Sequence, residues 1–400
     1  MEEGVYIFIL WENARFEQDK ILSDIDDNFT ILETVDIEWS QDKFSNNISR
    51  FYGEKLPDRS HKERHCGRGG FLLVVVYDRL PVMTERETSK GNFIVNGKMF
   101  DLKDKFRKWT GGGHKIHCSN NIHETRHDLS LLFGVGAEKY YKFPQPTKNI
   151  YSLSQDLVGA DGWESFEQLF YVINNTCNYV VLRNFEDFPV SYTLDSHNDI
   201  DFMTDSDIDL RSIVNGREVF NKRYRVHDKF NVGTDEVLAD FRFVGDGYYD
   251  QKWQVDILKN KTLDARGFYK PDAQNYFFSL GYHALIHKRK FGKDYAIRLK
   301  TLFDKLSLDS IENKFNLEEE FVFLALKDFM KENSYSFTEP KDKSVYFNKK
   351  FVGVNNITIK RHLITEFKDF VRPLKSPIRL VKDILLFSKE LFLRLIWRLK

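Results

Sequence analysis

Two closely spaced aspartates are the residues of this chain best suited to chemistry. Asp199 and Asp201 flank Ile200 and are followed by Phe202. Alternate side chains of a β-strand share one face, so the carboxylates point the same way, about 7 Å apart, while Ile200 and Phe202 face the core. Two carboxylates on one rigid face suit a divalent cation. The pattern predicts a metal site, and the alternative is a surface hairpin with solvated aspartates.

The segment around these aspartates, residues 178–209, resembles the nucleotidyltransferase superfamily that includes DNA polymerase β. In that superfamily a D-x-D strand end is followed, some tens of residues later, by a third acidic residue on a neighbouring strand. The resemblance implies that Asp240 is the third metal ligand or a general base, and residues 237–244 around it alternate as a half-buried strand should. It also implies Mg²⁺ or Mn²⁺ bound against the phosphates of a nucleoside triphosphate or another nucleotide-activated donor.

Two arginines are candidates for binding those phosphates. The superfamily usually has Gly-Ser or Gly-Gly before the D-x-D, whereas this chain reads Leu182-Arg183-Asn184. Arg183 is therefore a candidate phosphate clamp, and Arg242 lies two residues after Asp240. The glycines of Gly245-Asp246-Gly247 either let the backbone approach a ligand or simply form a tight turn.

The first third of the chain alternates short apolar runs with segments of helical periodicity. Strands are predicted at residues 5–10, 31–37 and 71–77, and helices at 18–29, 40–52, 103–109 and 121–133. Ser40 is the expected cap of the second helix. The order β-α-β-α-β-α-α predicts a ferredoxin-like α/β sandwich.

Residues 4–134 resemble nucleoside diphosphate kinase through several local matches in the right order. Phe51-Tyr52 ends the second helix as in those kinases, and residues 67–78 correspond to their Ser-Gly-Pro strand. Residues 115–121 (KIHCSNN) are similar to the I-H-G-S-D segment of that family. The resemblance implies that His117 is the phosphate-accepting histidine and that Ser119 is the serine beside it. It also places Glu124 on the helix that follows.

Other residues of this region depart from the kinase pattern. Trp11-Glu12-Asn13 replaces the family's Lys-Pro-Asp, and His114 replaces an asparagine. Phosphoryl transfer depends on such charged contacts, so the sequence favours a kinase-like fold that binds a nucleotide, a phosphorylated ligand or a partner domain over an active kinase. An active phosphohistidine enzyme and a merely packed His117 stay open. The histidines of this region lack a recognised zinc spacing, so no metal is expected among them.

The C-terminal third is predicted to be largely helical. Residues 273–306 and 317–330 repeat apolar side chains at helical spacing and predict a helical lobe. Residues 377–400 combine an apolar stripe with basic flanks, but charges interrupt the run before the roughly 20 apolar residues that a spanning helix needs. This basic amphipathic helix is expected to anchor the protein at a membrane surface, to dock on a partner or to pack on the core.

Composition excludes several classes of protein. Sixty basic residues balance sixty acidic ones, so no nucleic-acid partner is expected. The three cysteines, Cys66, Cys118 and Cys177, lack C-x-x-C spacing, which argues against a disulfide framework or structural zinc. The acidic N-terminus lacks the pattern of a signal peptide. We expect a cytoplasmic protein, with peripheral attachment to the inner face of a membrane through its last helix.

Taken together, the sequence predicts an α+β protein with four regions. These are a nucleoside diphosphate kinase-like domain (1–136), a linker (137–160), a nucleotidyltransferase-like mixed sheet with a helical lobe (161–340) and a C-terminal extension (341–400). The expected function is metal-dependent transfer of a nucleotidyl or phospho-substituent group to a small molecule or glycan, in a setting such as surface polysaccharide assembly. The alternative is a non-catalytic nucleotide-binding or scaffold protein.

Overall fold

The computed structural model describes residues 4–54, 56–57, 59–88, 91–142, 146, 150–186, 188, 199–219, 227–305 and 319–352. The chain divides into two compact units, Met1–Ser279 and Leu280–Lys400. The described residues form an α+β protein, as the sequence predicts, and both large sheets belong to the first unit.

The N-terminal part of the first unit contains a five-stranded mixed sheet and a separate hairpin. Its strands are β1 (Val5–Leu10), β2 (Thr30–Glu38), β3 (Phe71–Tyr77), β4 (Met83–Thr88), β5 (Gly91–Asn96), β6 (Ile116–Cys118) and β7 (Ile150–Ser154). The sheet order is β6-β1-β3-β2-β7, and β4 pairs with β5. Neighbours in the sheet run antiparallel except β2 and β7, which are parallel.

Helices pack against this sheet, which explains the unbroken apolar runs of β1 and β3. They are α1 (Gln18–Asn28), α2 (Phe44–Tyr52), α3 (His61–Cys66), α4 (Gly97–Trp109), α5 (Ile122–Phe133) and α6 (Glu138–Lys142). Every residue of β1 is buried. Phe8 and Val74 of the sheet belong to one core cluster with Ile21 of α1 and Phe106 of α4. The sheet strands predicted near residues 5–10, 31–37 and 71–77 are therefore confirmed.

Three local features differ from the sequence-based expectations. Ser40 does not cap α2, which begins at Phe44, because its amide and hydroxyl both donate to Asp156. The β4–β5 hairpin was not predicted, since its strands carry exposed apolar residues in place of a clean alternation. The expected linker at 137–160 instead supplies α6 and β7, because β7 finds an open edge of the sheet beside β2.

A second five-stranded mixed sheet lies in the C-terminal part of the same unit. Its strands are β8 (Tyr179–Val181), β9 (Ile200–Thr204), β10 (Arg217–Glu218), β11 (His227–Val232) and β12 (Asp235–Phe243). The order is β10-β11-β12-β9-β8, with β12 parallel to β9 and the other neighbours antiparallel. The remaining elements are α7 (Phe166–Thr176), α8 (Asp207–Ile213), α9 (Gln251–Lys259), β13 (Thr262–Leu263) and β14 (Tyr269–Lys270).

A buried arginine joins the two parts of this unit. Arg50 of α2 donates through Nη2 to the carbonyl oxygens of Val158 and Ile213, at 2.6 and 2.9 Å. The side chain is 1% exposed, and burial lowers its pKa to about 9. Ile213 ends α8 of the second sheet region, so the guanidinium fixes α2 against α8.

The regular secondary structure described in the second unit is helical, and residues 333–348 are irregular. The helix α10 (Ala273–Tyr282) crosses the division between the units and continues into a π-helical turn, His283–His287. The helices α11 (Lys293–Lys305), α12 (Glu319–Glu332) and α13 (Lys349–Val352) follow. The amphipathic helix predicted at 377–400 lies outside the described residues. Among the helices that the structure describes, none has the length and hydropathy to cross a bilayer.

Candidate functional site

Strand register brings the predicted acidic residues together at the centre of the second sheet. Asp201 of β9 is the direct partner of Asp240 on the parallel strand β12. His227 of β11 is the partner of Asp240 on its other side. Asp199 lies one residue before β9. Three neighbouring strands therefore present Asp201, Asp240 and His227 side by side.

Potential metal ligands converge at this position. Donor atoms of Asp199, His227 and Asp240 all lie within 4.8 Å of one another. Asp201 contributes differently, because its carboxylate is 3% exposed and accepts a hydrogen bond from Arg183. The structure thus places Asp199 and Asp240 at the cluster itself and Asp201 directly beside it.

Both arginines predicted to bind phosphate contact carboxylates of this site. Arg183 Nη2 lies 2.5 Å from Asp201 Oδ1, and Arg242 Nη2 lies 3.3 Å from Asp240 Oδ2. Both guanidinium groups are buried and stand over the ring of Tyr248, at 5.7 and 4.5 Å from its centroid. The site therefore brings three carboxyl groups together with two guanidinium groups.

The electrostatics of the site reflect this crowding of carboxylates. Burial raises the pKa of Asp201 to about 7, with the charges of Asp199 and Asp240 adding to burial against the effect of Arg183. Burial and the charge of Asp240 raise the pKa of Asp199 as well. Burial would also raise the pKa of Asp240, but a hydrogen bond from His227 and the charge of Arg242 hold it below the ordinary value. The site therefore favours a positive charge beside Asp199 and Asp201.

The turns around the site have local causes. Asn184 follows Arg183 with φ at +62°, a left-handed backbone that asparagine adopts more readily than most residues. The turn at residues 245–247 is held by Asp246, whose Oδ1 accepts from the Tyr248 amide at 2.8 Å and from Gln254 Nε2 at 2.7 Å. Asp246 is buried among these partners, so it stabilises the turn on which Tyr248 stands.

His227 was not predicted from the sequence, although a signal for it exists. Val232 and Asp235 pair across a two-residue turn formed by Gly233 and Thr234. Such a turn fixes the register of a hairpin, and counting outward from it pairs His227 with Asp240. In the structure His227 Nδ1 hydrogen bonds to Asp240 Oδ1.

The second predicted centre, around His117, is held by buried hydrogen bonds. His117 of β6 bonds through Nε2 to Asp128 Oδ2 at 2.7 Å, and His127 Nδ1 lies 2.9 Å from Asp128 Oδ1. Aromatic rings of Phe51 and Tyr52 pack edge-on against His117, with centroids 5.3 and 5.8 Å away. The histidine is thus oriented by a carboxylate from α5, which the sequence had not singled out.

Ser119 and Glu124 have structural partners of their own. Ser119 is fully buried, and its Oγ accepts from the Ile7 amide at 3.0 Å and from Thr125 Oγ1 at 2.8 Å. Glu124 accepts from the Asn120 amide at 2.7 Å, which helps to close the N-terminal end of α5. The structure brings His117 to Asp128, and it places Ser119 among partners that fix the strand to α5.

The departures from the kinase pattern also have structural explanations. Trp11 is fully buried and packs on Trp39 and Phe71, with ring centroids 5.5 and 4.7 Å away. Glu12 accepts from the amides of Arg68 and Gly69, both at 2.7 Å. These two residues therefore stabilise the loop before β3.

Comparisons of the chain with protein-family models, with curated proteins and with solved structures found no match.

Proposed function

We propose that the chain is a metal-dependent transferase whose site is built around Asp199, Asp201 and Asp240. The observation that carries this proposal is the parallel pairing of β9 with β12, which sets Asp201 beside Asp240 and brings Asp199, His227 and Asp240 within metal-binding reach. The reaction is transfer of a nucleotidyl or phospho-substituent group from a nucleotide-activated donor to a small molecule or glycan.

The donor set fits a hard divalent cation. Carboxylate oxygens are the ligands that Mg²⁺ and Mn²⁺ prefer, and imidazole suits manganese better than magnesium. Asp199 and Asp240 would hold the cation, with His227 as a further ligand for Mn²⁺ or as a hydrogen-bonding partner of Asp240 for Mg²⁺. A cation bound there would neutralise negative charge on the donor phosphates.

The protein residues have distinct roles in this proposal. Arg183 orients Asp201, and His227 with Arg242 orients Asp240 as a ligand or general base. The ring of Tyr248 packs against both guanidinium groups, which keeps their charges close to the carboxylates. Because Asp201 and Asp240 are each held by another side chain, these two carboxyl groups are preorganised.

Strand order supports a nucleotidyltransferase-like fold for the second sheet and a ferredoxin-like sandwich for the first. The sheet with β9 and β12 is mixed and carries its acids on two adjacent parallel strands, as expected for a nucleotidyltransferase-like sheet. The turn after β8 needs no glycine, because Asn184 takes the left-handed backbone itself. In the first sheet, the order β6-β1-β3-β2 with antiparallel neighbours is the one expected for a ferredoxin-like sandwich.

The proposal is tested by calorimetric titration of each nucleoside triphosphate into the full chain, with and without Mg²⁺ or Mn²⁺. We expect metal-dependent binding of one donor that is lost in the double variant Asp199→Asn/Asp201→Asn. Asp235→Asn is the matched control, because this exposed acid starts β12, the strand that carries Asp240. Equal binding by the double variant and the control would refute the assignment.

A non-catalytic, ligand-binding role for the N-terminal part is favoured by a separate observation. His117 is 12% exposed at its side chain and is paired with buried Asp128, while Ser119 is enclosed. This arrangement fixes the orientation of His117 and leaves the enclosed Ser119 out of reach of a bound phosphate. Incubation with ³²P-labelled ATP should leave the chain unlabelled. Label that disappears in His117→Ala would establish a phosphohistidine instead.

A further inference from the structure

Three histidines from separate parts of the chain converge on the surface of the N-terminal part. His61 and His65 lie one turn apart on α3, and His114 follows α4. Ring centroids are 4.0 Å apart for His61 and His65, 5.5 Å for His65 and His114, and 6.4 Å for His61 and His114. One nitrogen from each ring lies within 4.8 Å of the others. Such a group has the chemistry of a metal site.

Specific backbone features create this convergence. Ser60 caps α3 by accepting from the Glu63 amide, and residues four apart in the helix then share one face. On the other side, Gly113 has φ at +79°, and a Cβ there would lie 2.5 Å from His65 Nδ1. Cys66 Sγ also donates to the His114 carbonyl oxygen, at 3.5 Å. Only glycine at 113 lets the loop bring His114 this close to α3.

We propose that His61, His65 and His114 form a binding site for a late first-row transition-metal dication such as Zn²⁺ or Co²⁺. Imidazole nitrogens are preferred ligands of these cations, and three protein ligands leave one coordination position open. The site is independent of the proposed transferase centre, because it shares no residue with the cluster of Asp199, His227 and Asp240.

Basic side chains near the cluster disfavour cation binding, and most of them form ion pairs or hydrogen bonds with other groups. Lys62 lies 3.2 Å from Glu54, Lys115 donates to the Thr110 carbonyl oxygen at 2.6 Å, and Arg107 donates to the Ile116 carbonyl oxygen. Arg64 is exposed to solvent, where its field is screened. The open coordination position, in this positive surrounding, favours an anionic fourth ligand.

The same surroundings lower the pKa of two of the proposed ligands, His65 and His114. Burial, followed by the charges of His61, Lys115 and Arg64, lowers the pKa of His65. Burial and the charges of Lys62 and Arg107 do the same for His114. Neutral imidazole is the form that binds metal, so protons compete weakly for these two rings near neutral pH.

Coordination requires one local rearrangement. His65 Nδ1 accepts a hydrogen bond from the His114 amide at 3.3 Å. Metal binding through Nε2 places the ring proton on Nδ1, and binding through Nδ1 uses the same lone pair, so either mode gives up this contact. The contact is longer than a typical N–H hydrogen bond, which limits the cost.

The experiment is titration of Co²⁺ into the full chain carrying Asp199→Asn/Asp240→Asn, which weakens the proposed transferase centre, followed by visible absorption and Zn²⁺ competition. We expect a single equivalent with the absorption of nitrogen-ligated, low-coordinate Co²⁺. His65→Ala and His114→Ala should each weaken binding at least about tenfold, since even partners of metal ligands cost 10–100-fold when removed.

The matched control is His123→Ala, an exposed histidine of α5 that does not belong to the cluster. This variant should bind Co²⁺ like its parent. The proposal is overturned if the parent binds no Co²⁺, or if His65→Ala and His114→Ala bind as tightly as His123→Ala. His114 is exposed and His65 is only partly buried, so both replacements should leave the fold intact, and circular dichroism will verify this.

Discussion

Asp201 of β9 and Asp240 of β12 face each other directly across two parallel strands. Each is buried, and each has its own arginine, Arg183 for Asp201 and Arg242 for Asp240. Two adjacent carboxylates inside a sheet would repel each other strongly without these partners. The pairing therefore makes the arginines part of the folded core as well as of the candidate site.

The first prediction concerns the buried ion pair of Arg183 and Asp201. Arg183→Met should lower the free energy of unfolding by about 3–5 kcal/mol, because a buried carboxylate is left beside two others without its partner. Asp201→Asn in the same chain should restore part of this loss. Urea unfolding of both single variants and the double variant measures the coupling. Additive losses in the double variant would contradict the prediction.

The second prediction concerns metal selectivity at the transferase centre. Bound Mn²⁺ or Mg²⁺ should raise the thermal midpoint, with a stabilisation of about 2.7 kcal/mol when free cation is 100 times Kd. His227→Ala should reduce the Mn²⁺ effect more than the Mg²⁺ effect, because imidazole is a ligand for manganese and a poor one for magnesium.

Thermal unfolding with each cation, in His227→Ala and in the control Asp235→Asn, checks this selectivity. Asp240→Asn should abolish both effects. If His227→Ala reduces the stabilisation by Mn²⁺ and by Mg²⁺ equally, the imidazole only orients Asp240.

The third prediction concerns Arg50, which joins α2 to α8. Arg50→Met should destabilise the chain by about 1–3 kcal/mol for each carbonyl oxygen left without a donor, at Val158 and Ile213. The control Arg64→Met, at an exposed position of α3, should stay within about 0.5 kcal/mol of wild type. Urea unfolding measures both, and similar values for the two variants would rule out a structural role for Arg50.

The fourth prediction concerns the pH dependence of stability through Asp156. Its carboxylate accepts from the Ser40 amide and hydroxyl at 2.9 and 2.7 Å and from Asn47 Nδ2 at 2.6 Å. Burial would raise its pKa, but these hydrogen bonds and the charge of Lys43 hold the pKa below the ordinary value. The folded protein therefore binds the proton more weakly at this site than the unfolded chain does.

This stabilisation is fully present above the unfolded pKa of about 3.9 and is lost as pH falls through the lower folded pKa. Asp156→Asn should lower the free energy of unfolding near neutral pH. The gap between wild type and variant should narrow in acid. Urea unfolding at a series of pH values tests it, and a gap that stays constant below pH about 4 would be inconsistent with this linkage.

The local sequence is sufficient to predict much of the secondary structure and one part of the candidate site. The unbroken apolar runs at β1 and β3 predict buried strands, and α1 begins at Gln18 as its periodicity indicates. Asp199 and Asp201 could be placed on one face because the alternation of side chains in a strand is a local property.

The tertiary structure decides which of these strands and side chains contact one another. The pairing of β9 with β12 joins residues 200–204 to residues 239–243, and residue spacing alone does not fix such a long-range register. The pairing of β7 with β2 is also a long-range contact that the sequence did not predict. Likewise, Arg183 was predicted to bind phosphate but contacts Asp201 in the structure. The histidine cluster depends on folding in the same way, because the positive φ of Gly113 carries His114 to α3. Sequence spacing selects residues that share a face, whereas packing and strand pairing select their partners.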